Sequence, residues 1–150
     1  MSNKEWNIYL SGEIHSDWRE QIVSGCSEKR LPVSFSGPVT NHDASDMVGV
    51  NILGSEDQDY WRDRKGAGIN AIRTSSLIGS ADVVVVRFGP KYKQWNAAFD
   101  AGYAAALGKA LVILHDEEHN HALKEVDAAA NATARSPAQV VEILDYVING

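Results

Sequence analysis

Hydrophobic residues along the chain fall into a few short unbroken runs, separated by stretches with helical spacing. Val83 to Val86 and Leu111 to Leu114 contain no polar residue, the pattern of strands covered on both faces of a parallel sheet. Trp6 to Leu10 is a third β-prone run, ending at Ser11-Gly12, and Leu31 to Phe35 is a fourth. Pro32 interrupts that fourth run and places it toward a sheet edge. A brief fifth strand is expected near Asn131 to Ala134. Between the runs, Ser16 reads as the N-cap of a helix carrying Trp18, Ile22 and Val23 on one face and ending near Lys29-Arg30. Helical spacing returns over Lys65 to Ile78, with Ile69, Ile72 and Leu77 able to face the sheet. Ala97 to Ala106 is a helix of small residues, able to lie very close to the sheet. Ser136 caps a last helix with Pro137 at its first position and Val140, Val141, Leu144, Val147 and Ile148 as its stripe. Ser36 to Arg64 loses all periodicity and reads as a long functional or mobile loop; His115 to Leu123 reads as a polar loop leading to a short helical turn.

Strands alternating with helices in a chain of 150 residues predict one α/β domain over residues 1–150. The expected fold is a three-layer Rossmann-like or flavodoxin-like parallel sheet of about five strands, with helices on both faces and right-handed crossovers. Three familiar variants of that fold are excluded. No GxGxxG follows the first strand, so the dinucleotide fingerprint is missing. Gly102 to Lys109 has the wrong spacing for a phosphate loop, and Ala110 stands where a magnesium-binding hydroxyl would be needed. A receiver domain needs its acceptor at the carboxyl end of a central strand, whereas Asp82 lies at the amino end.

Charge narrows the partners. A formal net charge of -6 argues against a nucleic-acid binder, which needs clustered Lys and Arg to neutralise phosphates. The single cysteine, Cys26, has no internal partner for a disulfide, and MSNKEWNIYL lacks the basic start and apolar core of an export signal. No apolar run approaches the ~20 residues of a membrane span. The expectation is a cytoplasmic protein with no membrane or nucleic-acid partner.

Candidate chemistry gathers where the strands end, since open parallel sheets bind ligands outside their carboxyl ends. There Asp100 is the one carboxylate in the small-residue helix. With Asn96 read as the N-cap, Asp100 falls in the first turn, where the helix dipole favours its ionised form. Either it merely stabilises the helix or it serves a site in the adjoining cleft. Tyr103 at i+3 and Asn96 at i−4 share its face and are able to orient it; Tyr103 reads equally as packing. Trp95 either stacks on a flat base or staples the helix. The Gly89-Pro90 loop and the first strand's end, Tyr9-Leu10-Ser11-Gly12-Glu13, flank the same edge, and Gly12 admits close backbone approach by a ligand. Glu13, His15 and Asp17, and separately His42, Asp43 and Asp46, crowd short segments without a recognised metal-ligand spacing, so no metal and no cofactor is expected. Arg73, beside Thr74, is either a fork for a phosphate or carboxylate or a solvent-facing arginine.

Assembled, these residues resemble the nucleoside 2-deoxyribosyltransferase-like superfamily and, within it, the YtoQ-type branch. The likeness rests on Ile8 to Gly12 as the opening strand and loop, Ala81 to Val85 as the central strand, and Phe99-Asp100-Ala101-Gly102-Tyr103-Ala104 with Leu107-Gly108-Lys109 as the nucleophile helix. Glu13 to Arg19 and Lys91 to Asn96 extend it to the branch. The resemblance implies N-glycosidic bond chemistry on a small-molecule nucleoside or nucleotide, and a homo-oligomer whose sites lie near subunit interfaces. It places the superfamily's nucleophilic glutamate on Asp100, one methylene shorter. The glycine-threonine pair before the nucleophile is replaced by Asn96-Ala97, and a substrate-binding aspartate by Thr74. Asp100 then serves as nucleophile or oxocarbenium stabiliser; helix spacing offers Tyr103 as its orienter, and the chemistry asks for an acid to protonate the departing base, for which Glu13 or Asp46 is the candidate. Tyr9, Ser11, Gly12, His15, Asp46, Arg73, Thr74, Gly89, Trp95 and Asn96 are the expected substrate contacts. Two rivals remain at this stage: a non-catalytic nucleotide- or sugar-binding module on the same fold, and a metal-dependent hydrolase built on the His and Asp residues of the long loop.

Overall fold

Five parallel strands in the order β2-β1-β3-β4-β5 form the sheet. They are β1 (Trp6–Gly12), β2 (Val33–Ser36), β3 (Val83–Arg87), β4 (Ala110–Leu114) and β5 (Ala132–Ala134). The computed structural model describes residues 4–150. The strand order is the flavodoxin-like one, with its switch point between β1 and β3. The described chain divides into two compact units, the sheet unit of residues 4–36 and 81–150 and a helical unit of residues 37–80.

In the sheet unit, Ile8 and Leu10 of β1, Val83 and Val85 of β3, and Val112 and Leu114 of β4 point to one face. There they meet Trp18, Ile22 and Cys26 of α1 (Trp18–Glu28) and Val140, Val141 and Leu144 of α6 (Pro137–Asn149). Gly25 lets the two helices touch, since a Cβ there would lie 2.7 Å from the Val141 side chain. Residues of the opposite parity, Tyr9, Ser11, Val84, Val86, Leu111 and Ile113, are also fully buried. Their face carries α4 (Trp95–Ala106), which packs against β1, β3 and β4 through Ala97, Ala101 and Ala104. The continuous apolar runs are thus covered on both sides, as two-sided burial requires. A short α5 (Lys124–Ala129) packs beside β4 and α4.

Several local expectations change. The first helix starts after Asp17, not Ser16, because the Ser16 hydroxyl is donated to Glu13 instead. Val23, Ile72 and Val147 are exposed by 40%, 72% and 46% and belong to no buried stripe. The stretch expected to be irregular holds α2 (His42–Leu53) and the start of α3 (Asp59–Ser80). Asn41 caps α2 by accepting the Ala44 N–H at 2.9 Å, a signal hidden among the surrounding turn formers. Gly49 is a helix-packing residue: a Cβ there would lie 2.5 Å from the Gly66 nitrogen of α3. Asn70 ties the pair further, donating to the Ser45 carbonyl at 3.1 Å. As expected, Ser136 accepts the Gln139 N–H and caps α6 at 3.2 Å. Among the described residues no helix is long and apolar enough to cross a membrane.

Because Gly49 has no room for a methyl group, Gly49→Ala should destabilise the α2–α3 pair by about 1–3 kcal/mol. Native-state hydrogen exchange checks this: protection in residues 42–80 should fall while β1, β3 and β4 keep theirs.

Candidate active site

Parallel β1 and β3 run in register with Ser11 opposite Val86 and Gly12 opposite Arg87. At their carboxyl ends the β1–α1 and β3–α4 loops diverge to opposite faces, which opens the crevice of the switch point. Gly12 makes the first turn of that crevice. It has φ +111°, and any Cβ would fall on the Arg87 carbonyl oxygen, so only glycine fits. The Glu13 N–H then donates to that same carbonyl at 3.1 Å.

Asp100 reaches this edge from α4. The helix begins at Trp95 after Gln94, so Asn96 is not its cap, and Asp100 is the sixth helical residue, in the second turn and beyond the strongest part of the dipole. Its carboxylate is partly buried and accepts one hydrogen bond at Oδ2, from the Ser11 hydroxyl at 2.6 Å. Ser11 is itself wholly buried. Burial raises the Asp100 carboxyl above the ordinary aspartate range, and the Ser11 bond opposes that rise. Neither Tyr103 nor Asn96 bonds to it. Tyr103 lies parallel to Phe99, ring centroids 6.5 Å apart, and Asn96 is exposed. Trp95 is 76% exposed, which rules out a staple.

Glu13 is 4% exposed, yet both carboxylate oxygens are engaged within its own loop. Oε1 accepts the His15 N–H and Oε2 accepts the Ser16 hydroxyl, the latter at 2.6 Å. Gly89 packs on this side chain: a Cβ there would be 2.6 Å from Glu13 Cγ. The Gly89 N–H donates to Gln94 Oε1 at 3.1 Å, closing the β3–α4 loop. The His15 and Tyr92 rings meet across the two loops at 5.0 Å, and the Tyr92 backbone has φ +125°.

Asp46, Arg73 and Thr74 belong to the helical unit. Asp46 pairs with His42 at 3.2 Å on an exposed surface, and Arg73 donates to the Gly37 carbonyl at 3.1 Å.

Three supports were not foreseen. Arg19 donates to three carbonyls of the β1–α1 turn, Leu10 at 3.2 Å, Glu13 at 2.7 Å and Gly12 at 3.1 Å. The Trp18 indole adds a 2.7 Å bond to the Glu13 carbonyl. The signal was a cation in the first turn of a helix, where the dipole disfavours it and a tertiary partner must compensate. His115, read as solvated, is fully buried. Its Nε2 lies 2.8 Å from Asp127 and its Nδ1 2.7 Å from the Asp116 carbonyl. Arg135 donates to its backbone carbonyl at 3.2 Å. No group of three or more His, Cys, Asp and Glu able to hold a metal occurs among the described residues.

The family model described as nucleoside 2-deoxyribosyltransferase YtoQ matches residues 9–148. The uncharacterized protein YtoQ of Bacillus subtilis (strain 168) is 45% identical over 143 residues, covering 95% of this chain and 97% of that protein. Three solved structures share the fold at 13–14% identity. A conserved protein from Enterococcus faecalis V583 superposes with TM-score 0.65, covering 96% of this chain and 99% of that one. A 2-deoxyribosyltransferase from Bacillus psychrosaccharolyticus gives 0.53 with 90% of each chain covered. The CMP N-glycosidase BcmB of Clostridium botulinum gives 0.50, covering 94% and 98%. The chain belongs to the family whose model is described as nucleoside 2-deoxyribosyltransferase YtoQ.

A carboxyl whose folded pKa is raised favours folding below its unfolded pKa, and that contribution is lost as pH rises through the folded value. Asp100→Asn, which keeps an acceptor for Ser11, should therefore melt higher than wild type at pH 7. The difference should vanish as pH falls below about 4, read from thermal unfolding at a series of pH values.

Proposed function

We propose that the chain cleaves or transfers across the N-glycosidic bond of a nucleoside, nucleotide or related N-glycoside, with Asp100 as nucleophile or oxocarbenium stabiliser. One observation carries the reading. Asp100 stands at the switch-point edge, partly buried and held by one buried hydroxyl at 2.6 Å, and among the described residues no cation pairs with it. Family membership supports the reading, as do the activities of two proteins whose structures share the fold, a 2-deoxyribosyltransferase and a CMP N-glycosidase.

The chemistry follows from what a carboxylate does under a sugar. As the C1′–N bond lengthens, positive charge spreads over C1′ and the ring oxygen, and Asp100 either stabilises it or closes a C1′–O bond. The bonding pair leaves with the base. Glu13 is occupied in bracing its own loop, so water protonates the departing nitrogen. The hydroxide left behind attacks C1′ and releases the Asp100 carboxylate with the free sugar, which balances as hydrolysis. Where a second base attacks instead, its nitrogen closes the new bond to C1′, the Asp100 carboxylate leaves, and the hydroxide takes the nitrogen's proton and returns to water.

The reading includes a homo-oligomer. Trp95 and Phe99, one turn apart on α4, are exposed by 76% and 73%. Covering them with a second copy would bring a neighbouring subunit next to the helix that carries Asp100.

The test is a panel of ribo- and deoxyribonucleosides and their monophosphates, with and without a second base, followed by chromatography for free base and exchanged product. Wild type should release base, and Asp100→Ala should lose activity by on the order of 10⁴-fold. Thermal stabilisation by the same compounds without any turnover would establish a binding module instead. Activity lost on chelation would point to metal-dependent hydrolysis.

A further inference from the structure

Ser11 stands on β1 with full burial and a hydroxyl to satisfy. Its backbone is fixed twice over: it pairs with Val86 of the central strand, and the next residue is wedged against the Arg87 carbonyl. Strand parity sets the direction of its side chain. Ile8 and Leu10 enter the α1–α6 core, so Tyr9 and Ser11 project to the face covered by α4, and Ser11 is the last side chain of β1 on that face before Gly12. A buried hydroxyl without a partner is costly, because it has given up its water and gained nothing in return. The bond at 2.6 Å to Asp100 Oδ2 removes that cost, and its length is that of an O–H donated to a charged oxygen.

A hydroxyl has one proton to give. It therefore distinguishes the two carboxylate oxygens, and among the described residues no donor meets Oδ1. We propose that Ser11 is the positioning residue of the site: it fixes Oδ2 of Asp100 against β1 and leaves Oδ1 as the oxygen that faces the anomeric carbon. The assignment rests on the N-glycosidase reading for its chemical use, though not for its geometry. It moves Ser11 from a substrate contact to a support of the carboxylate. When Oδ1 closes the bond to C1′, Oδ2 becomes the ester carbonyl oxygen and still accepts the Ser11 proton. When water or a second base breaks that bond, the same donor stabilises the departing carboxylate, so one hydrogen bond serves both halves of the reaction. It also favours the ionised form against the effect of burial, as donation to a carboxylate does.

The test needs no turnover. In protein labelled with ¹³C at aspartate carboxyls, the Asp100 signal is identified as the one missing from Asp100→Asn and titrated in full-length protein. In Ser11→Ala its midpoint should move to higher pH, whereas Ser11→Thr, which retains the hydroxyl, should keep the wild-type midpoint. An Asp100 midpoint unmoved in Ser11→Ala overturns the assignment, and so does an equal movement in Ser11→Thr. A double-mutant cycle guards against loss of fold. Ser11→Ala should destabilise wild type more than it destabilises Asp100→Ala, and equal costs would also overturn the assignment. With an active substrate in hand, Ser11→Ala should lower kcat about 10–100-fold, the worth of one hydrogen bond to a charged group, at little change in KM. If wild type releases no base from any N-glycoside, the functional reading fails, while the carboxyl titration still decides the role of Ser11.

Discussion

Asp100 holds a partly buried carboxyl at the sheet edge, with one hydrogen bond to it among the described residues. Such a group is held in place only if everything around it is more rigid than it is, because a free carboxylate would swing toward solvent. The rigidity comes from the sheet. β1 and β3 are buried on both faces, and at Gly12 the two backbones approach so closely that no side chain fits between them. The small residues on the inner side of α4 then bring the helix down onto β1, β3 and β4. A carboxylate on so short a side chain touches β1 because its helix lies so near the sheet.

Around that point the two loops brace each other without using Asp100 at all. Glu13 spends its charge on its own loop, Gly89 fits against the Glu13 side chain, and Gln94 closes the second loop on Gly89. Arg19 gathers three carbonyls at the turn after β1, giving a sharp bend the rigidity of a strand. Burial lowers the Arg19 guanidinium from its ordinary value, with Glu13 acting the other way, so it works as a hydrogen-bond donor set inside the structure. Such second contacts are what keep a reacting group within the narrow geometry that catalysis requires.

The architecture could be read from the chain because its signals are local. Val83 to Val86 and Leu111 to Leu114 lack polar residues, and Ser136-Pro137 announces the last helix. The misread parts are those where local chemistry and tertiary contact compete. Gly49 among turn formers resembles a loop residue until α3 is seen against it. Gln94 is a poor cap and Asn96 a good one, so local chemistry alone places Asp100 two residues nearer the helix start than it stands. Ser11 and Asp100 are 89 residues apart, and no periodicity reports a contact at that distance. The likeness of the nucleophile helix picked out Asp100, yet only the folded geometry shows what holds it. His115 carries the same lesson: a histidine among acids looks solvated until a strand end and a short helix bury it.

That histidine has a consequence for the far side of the sheet. β5 is three residues long and forms one edge, and a strand so short frays easily. Were it to leave, β4 would present an apolar row of unpaired amides, the template on which sheets join end to side and aggregate. Asp127, which bonds both His115 on β4's end and Thr133 within β5, fastens the cover strand in place. The polar knot at this edge thus ties the cover strand to the end of β4, whose amides it keeps paired.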